Sequence, residues 1–166
     1  TNYNFWRSNS AIDSGSLDKS SSVTMTPGVA TNFFQEPSVL ISSDKGISLA
    51  SFADANGGCA APFLPTNLMK TKYAVNIASD FVAFASKQAG IIDVYSPGQE
   101  VGVDTPVETL TLTRTGSNTN APYKARKAAT PIGYRFISTV PMAGWYQPAN
   151  DNGGARSDET ILYGAD

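Results

Sequence analysis

The chain has 166 residues and a formal net charge of −2, and Asp, Glu, Lys and Arg together make up only 16% of it. This length predicts one domain, 1–166, with a sizeable hydrophobic core. Because there is no histidine and only one cysteine, Cys59, the composition excludes serine–histidine and cysteine–histidine nucleophiles, histidine-ligated metals and a disulfide within the chain.

The N-terminal residues 1–22 are predicted to form an arm that precedes the β-rich part of the domain. They begin with the aromatic run "YNFW" and continue with a polar, serine-rich stretch. Exposed aromatic side chains on a mobile arm are costly, so Phe5 and Trp6 are expected to dock. Docking onto the chain's own sheet and docking onto a neighbouring subunit both remain open.

Short apolar runs with a period of two follow along the chain, separated by glycine and proline. The candidate strands lie at 39–41, 47–49, 73–77, 90–95, 107–114 and 134–140. Runs of this length and spacing predict a mainly β fold. We expect a single antiparallel β-sandwich or jelly-roll-like domain with at most one or two short helices.

The segment "ASDFVAFASKQAG" is ambiguous between a helix and a strand. Ser79 fits a helix N-cap and Gly90 fits the position after a helix end, with Phe81 and Phe84 on one flank. Read with a period of two, the same residues suit a strand that is buried on both faces. The capping residues favour a short helix.

Two loops combine an acidic residue with Asn-Gly-Gly: "DANGG" at Asp54–Gly58 and "NDNGG" at Asn150–Gly154. Oxygen ligands on a curved backbone are what calcium requires. Neither the Asp54 loop nor the Asp151 loop has the full alternating ligand pattern, and Asn-Gly and Gly-Gly are also common turn formers, so turns are favoured over a metal site. The sequence predicts no cofactor, since glycine-rich phosphate loops are absent as well.

Threonines alternate with leucines in "TLTLT". In an extended chain Thr109, Thr111 and Thr113 share one side, and Leu110 and Leu112 share the other. Threonine is β-branched and its hydroxyl tolerates both water and a partly buried contact. The row therefore predicts the outer face of a strand that suits a contact between subunits.

Acid–base catalysis would need paired carboxylates, for which Asp80, Asp93, Asp104 and Glu108 are candidates. Any chain with 14 acidic residues offers such pairs, and their separation decides the chemistry. The sequence therefore favours a non-enzymatic protein.

Trp145 and Tyr146 precede a polar, turn-rich loop. Exposed rings beside Asn and Asp side chains are typical of sugar-binding β-sandwiches. The alternative is structural, with Trp145 filling one end of the core while Tyr146 points outward.

Charge is unevenly distributed along the chain. Residues 109–150 contain no acid and carry a net charge of +5, whereas the parts before and after carry −4 and −3. Lys124, Arg126 and Lys127 form the densest basic run. Such asymmetry suits head-to-tail contact between identical subunits, and nucleic-acid binding receives weaker support because the chain is acidic overall.

These features favour a structural subunit that self-assembles into a homo-oligomer through β-sheet surfaces, such as a virion capsid or surface-filament protein. A lectin-like carbohydrate-binding β-sandwich, with a glycan partner, is the alternative. The polar composition suits an extracellular or particle location, and no apolar run is long enough for a membrane span.

The absence of histidine predicts weak pH dependence near neutrality. Without histidine, no side chain of this chain has an ordinary pKa between pH 6 and 8, and only an α-amino group titrates in that range. The free energy of unfolding, measured with urea, should stay nearly constant between about pH 6 and 8. A sharp transition in this range would contradict the prediction.

Overall fold

A computed structural model describes residues 2–7, 10–16, 39–47, 49, 63–114, 122–149 and 160–165. This part of the chain is mainly β, and all pairings between its strands are antiparallel, which confirms the predicted fold class. Its helical content is a single 3-10 turn at Thr66–Leu68. The strands are β1 (Asn2–Arg7), β2 (Ser10–Ser16), β3 (Val39–Ser43), β4 (Lys70–Ala74), β5 (Ser79–Ser86), β6 (Gly90–Tyr95), β7 (Glu108–Leu112), β8 (Tyr123–Thr130), β9 (Arg135–Pro148), β10 (Thr160–Leu162) and β11 (Gly164–Ala165).

The first three strands form a small sheet of their own, in the order β2-β1-β3. The Asp44 carboxylate accepts hydrogen bonds from the backbone N–H and the side-chain amide of Asn2, at 2.9 and 3.1 Å. Tyr3 is buried, and its hydroxyl oxygen and ring would lie only 2.6–3.0 Å from a Cβ added at Gly15 on β2. The Asn2–Asp44 hydrogen bonds thus join β1 to the end of β3, and Tyr3 packs closely over β2.

The strand predictions are confirmed where glycine or proline bounds a run. Strand β6 spans the predicted 90–95, and β7 lies within 107–114. The run at 134–140 is only the first half of β9, and the run at 73–77 leaves its strand after Ala74. Ile47 and Leu49 lie outside any strand.

The helix predicted after Ser79 is wrong, because Ser79–Ser86 is strand β5. It is a central strand, paired with β8 along one edge and with β9 along the other. Both of its faces are buried: Val82 and Phe84 face one way, and Phe81 and Ala85 face the other. A strand buried on both sides lacks the polar alternation that identifies most strands.

The larger sheet closes on itself through β9. The pairings run from β9 to β6, β6 to β7, β8 to β5, and β5 back to β9. Between β7 and β8 the circuit is completed by a bridge in which Thr113 and Lys124 exchange backbone hydrogen bonds of 2.9 and 2.8 Å. The core cluster lies on the inner side of these strands and centres on Phe84 and Phe136, whose ring centroids are 4.9 Å apart.

Closure requires β9 to change partners along its length. Its first half pairs with β6 as far as Ser138, and its second half pairs with β5 from Ala143. On the β4 side, Lys72 opposes Ile137 but Lys70 opposes Met142, so β9 advances five residues while β4 advances two. This large bulge contains Pro141, which has no N–H to donate to a ladder. We call residues 138–142 the β9 corner.

Side-chain hydroxyls satisfy the backbone groups that leave the ladder at the β9 corner. Ser86 Oγ donates to the carbonyl of Pro141 at 2.7 Å and accepts from the N–H of Gln88 at 3.1 Å. The Tyr73 hydroxyl donates to the carbonyl of Met142 and accepts from the N–H of Lys70. Because buried backbone groups are costly when unpaired, these two side chains hold the corner in place.

The buried Tyr73 hydroxyl at the β9 corner should make the stability of the fold depend on pH in the alkaline range. Burial raises the pKa of Tyr73 above its ordinary value of 10.0, although the hydrogen bond from Lys70 opposes this. As the pH rises, the Tyr73 hydroxyl therefore loses its proton in the unfolded chain before it does so in the folded chain. The stability that the neutral phenol contributes is complete below about pH 10 and is lost as the pH rises through the folded-state pKa.

Tyr73→Phe should lower the free energy of unfolding by about 1–3 kcal/mol at neutral pH, because it leaves the Met142 carbonyl unpaired. It should also reduce the loss of stability above about pH 10 in urea titrations, because the folded-state pKa of Tyr73 is raised. Tyr163→Phe is the matched control, since that side chain is 89% exposed. Equal pH profiles for wild type and Tyr73→Phe would contradict the assignment.

Gly144 lies where an added side chain would enter the core. A Cβ there would lie 3.0 Å from Cε1 of Phe84 and 3.3 Å from Cδ1 of Leu162. Gly144→Ala should therefore lower the free energy of unfolding by about 1–3 kcal/mol, because the core is overpacked. At Gly46 an added Cβ meets nothing within 4 Å, so Gly46→Ala should be nearly neutral in the same urea titration. Equal effects of the two substitutions would show that Phe84 can move aside.

Candidate functional site

The threonine row lies on the outer surface of β7. Thr109, Thr111 and Thr113 are exposed, whereas Leu112 is buried and Leu110 packs against the core. The orientation of the row is therefore as predicted. Thr113 lies just beyond the end of β7, in the bridge to β8.

Neighbouring strands extend this row into a continuous surface. Thr109 opposes Asp93 on β6, which in turn opposes Ile137 on β9, and Thr111 opposes Ile91. Thr139 adjoins Ile91 and accepts a hydrogen bond from its N–H at 3.1 Å. We call this surface the threonine face, and its side chains are Thr109, Thr111, Ile91, Asp93, Ile137 and Thr139.

Ile91 is 41% exposed on the threonine face. The sequence analysis did not identify it as part of a contact surface. In "GIIDVY" either isoleucine could face outward. Only the register against β7 shows that Ile91 joins the threonines while Ile92 is buried.

Three of the four candidate catalytic carboxylates have structural partners. Asp93 accepts a 2.9 Å hydrogen bond from Thr109, Asp104 accepts from the N–H of Glu100 in a turn, and Glu108 forms an ion pair with Lys127. The fourth, Asp80, is exposed at the start of β5. The carboxylates are thus distributed over different strands and turns.

Trp145 and Tyr146 face opposite sides of β9. Tyr146 packs against the core cluster, and Trp145 lies half-buried on the other side of the strand. This arrangement is the reverse of the structural alternative drawn from the sequence, in which Trp145 filled the core. Successive side chains along a strand point to opposite sides. Tyr146 is an even number of residues from Phe136 and Met142, which both point inward, so Tyr146 also points inward and Trp145 points outward.

Trp145 belongs to a second outer surface, formed by β8, β5, the second half of β9 and β10. Strand register aligns Trp145 with Ala83 on β5, and Ala83 with Arg126 on β8. We call this surface the tryptophan face. Its side chains are Trp145, Gln147, Phe81, Ala83, Arg126 and Lys124, with Ile161 opposite Trp145 on β10.

The basic run is divided between the two sides of β8. Lys124 and Arg126 share the tryptophan face, and the Arg126 guanidinium lies 4.4 Å from the ring centroid of buried Phe81. Lys127 lies on the opposite side, where it pairs with Glu108. The basic run therefore does not form one patch. Lys124 and Arg126 share one face, whereas Lys127 lies on the other and forms an ion pair with Glu108.

Phe5 and Trp6 lie on β1, whose backbone pairs with both β2 and β3. The structure describes only the backbone of these two residues. The Asp54 and Asp151 loops and Cys59 lie outside the described residues. Within the described ranges, no group of three or more Cys, Asp or Glu residues is placed to hold a metal ion.

Comparison of the chain with protein-family models, curated protein sequences and solved structures finds no match. Over the described part of the chain, no helix has the length and apolar character needed to cross a membrane.

Proposed function

We propose that the chain is a non-enzymatic structural subunit that self-assembles through its β-sheet surfaces, as capsid and surface-filament subunits do. One observation carries the proposal: the threonine face is an outer surface spread over three strands, on which every listed side chain except Asp93 is β-branched. Such a surface can pack against the sheet of a second copy.

The side chains of the threonine face are suited to association because they lose little freedom on burial. Thr109, Thr111 and Ile91 are β-branched, so their χ1 angles are already restricted by the strand. Ordering flexible side chains costs up to about 2 kcal/mol each, and this cost is small here. Burying the exposed part of Ile91 would contribute about 1 kcal/mol.

Two charged side chains lie on or beside this face. Asp93 accepts a hydrogen bond from Thr109, and exposed Lys72 lies opposite Ile137 on β4. A contact between two copies must therefore pair or hydrate these two charges, because burying an unpaired charge is costly. Basic and acidic groups elsewhere, such as Lys127 and Glu108, pair within the subunit.

Thr111→Arg should abolish or strongly weaken assembly, because the long side chain would hold the two β-sheet surfaces apart where they meet. We expect the apparent dissociation constant, from light scattering across a concentration series, to rise at least about tenfold. The monomer should keep its circular dichroism spectrum and melting temperature, since Thr111 is exposed.

Thr105→Arg is the matched control, because Thr105 is an exposed threonine in the loop before β7. It introduces the same charge and should leave assembly unchanged. Wild-type assembly by Thr111→Arg would remove the threonine face from the contact. A wild-type chain that stays monomeric at all concentrations would overturn the proposed function itself.

A further inference from the structure

We propose that one end of the larger sheet binds a basic amphipathic segment of a partner protein. The apolar side chains of that segment would pack on exposed valines and isoleucines, and its lysine or arginine side chains would pair with neighbouring carboxylates. Three connections between strands, 75–78, 96–107 and 131–134, form this end, and we call it the loop end. The inference goes beyond self-assembly, because the loop end is separate from the threonine face.

The strand register brings the three connections together. Ala74 on β4 and Tyr95 on β6 both oppose Arg135 on β9. Ser79 on β5 opposes Thr130 on β8. Each connection begins or ends beside one of these aligned residues, so all three leave the sheet at the same end.

Contacts between the connections fix their relative positions. The N–H of Gly133 donates to the carbonyl of Val75 at 2.8 Å, and the N–H of Val75 donates to the carbonyl of Tyr134 at 2.9 Å. A Cβ added at Gly133 would lie 3.0 Å from Cγ of Pro97. The turn after β8 therefore contacts both of the other connections.

The loop end concentrates exposed aliphatic side chains. Of the nine large hydrophobic side chains that are exposed in the described part of the chain, five lie here: Ile77, Val101, Val103, Val107 and Ile132. Val103 is 73% exposed and Ile132 is 60% exposed, so neither contributes much to the core. Single exposed hydrophobic residues are ordinary, but a group of them at one place is typical of an interaction surface.

The longest of the three connections, 96–107, is held by its own hydrogen bonds. The side-chain oxygen of Gln99 accepts from the N–H of Ser96 at 2.7 Å, and its side-chain nitrogen donates to the carbonyl of Thr105 at 2.8 Å. The N–H of Asp104 donates to the carbonyl of Glu100 at 2.9 Å, and the N–H of Glu100 donates to the Asp104 carboxylate. A loop that is already ordered loses little conformational entropy when a partner binds.

Charge at the loop end selects a basic partner. The two described cations beside it already have partners, because Lys127 pairs with Glu108 and Arg135 donates to the carbonyl of Gln99. The exposed carboxylates at this end are those of Asp80, Glu100 and Asp104. A partner with apolar and cationic side chains complements this surface, whereas the same carboxylates would repel an anionic membrane.

Fluorescence anisotropy tests the proposal with a labelled amphipathic peptide built from leucine and lysine. One comparison peptide has glutamate in place of lysine, and a second has serine in place of leucine. The leucine–lysine peptide should bind at least about tenfold more tightly than either comparison, because both kinds of contact are needed. Its affinity should fall as salt rises.

The double variant Val103→Ser/Ile132→Ser should weaken binding of the leucine–lysine peptide about tenfold or more. Leu68→Ser is the matched control, because Leu68 is 52% exposed and precedes β4 at the opposite end of the sheet. Glu100→Gln should also weaken binding and reduce its salt dependence, whereas the charge-retaining Glu100→Asp should bind as the wild type does.

All of these side chains are exposed, so the variants should keep the wild-type melting temperature. They should also assemble as the wild type does, which separates failure of this proposal from failure of the proposed function. Absence of peptide binding at millimolar concentration would overturn the proposal, and so would equal binding by the double variant and wild type. Binding to phosphatidylcholine vesicles in place of the peptide, lost in the double variant, would assign the loop end to a membrane surface and contradict a protein partner.

Discussion

The structure depends on one strand, β9, which pairs with different neighbours before and after Pro141. A strand that leaves one ladder and enters another must find partners for the backbone groups released in between. Hydroxyls of Tyr73, Ser86 and Thr139 bond to backbone groups at or beside this point, and Ser138 accepts from the N–H of Val140 at 3.2 Å. Pro141 itself has no N–H that would need a partner. Hydrogen bonds from side-chain hydroxyls therefore replace the strand-to-strand hydrogen bonds that the backbone loses at the β9 corner.

The same strand connects the core with both outer surfaces. Phe136 and Met142 point inward on either side of Pro141 and are fully buried. Ile137 joins the threonine face, and Trp145 joins the tryptophan face. Because one continuous strand carries all of these residues, the two faces have fixed positions on one scaffold.

The sequence predicted the fold class and the orientation of the threonine row because both follow from local alternation. It placed β6 correctly and found β7, whose ends are marked by glycine, proline or charged residues. It failed at β5, where burial on both faces removes the alternation and Ser79 and Gly90 imitate helix caps. Tertiary pairing on both edges of β5 decided the outcome.

The position of Trp145 could not be predicted because Pro141 was interpreted as the end of a strand. Once β9 continues through the corner, the inward parity of Phe136 and Met142 extends to Tyr146 and turns Trp145 outward. The grouping of Trp145 with Arg126 depends on pairing through β5, which involves residues far apart in sequence. A single sequence contains no signal for such register.

Association of copies of the chain through the threonine face can be tested by hydroxyl-radical footprinting of dispersed and assembled wild-type protein. Ile91 and Ile132 form an internal comparison, since they are the same residue type and are 41% and 60% exposed. Ile91 lies on the threonine face, whereas Ile132 lies in the turn between β8 and β9. Assembly should protect Ile91 from oxidation and leave the oxidation of Ile132 unchanged. Equal oxidation of Ile91 in both states of the protein would contradict it.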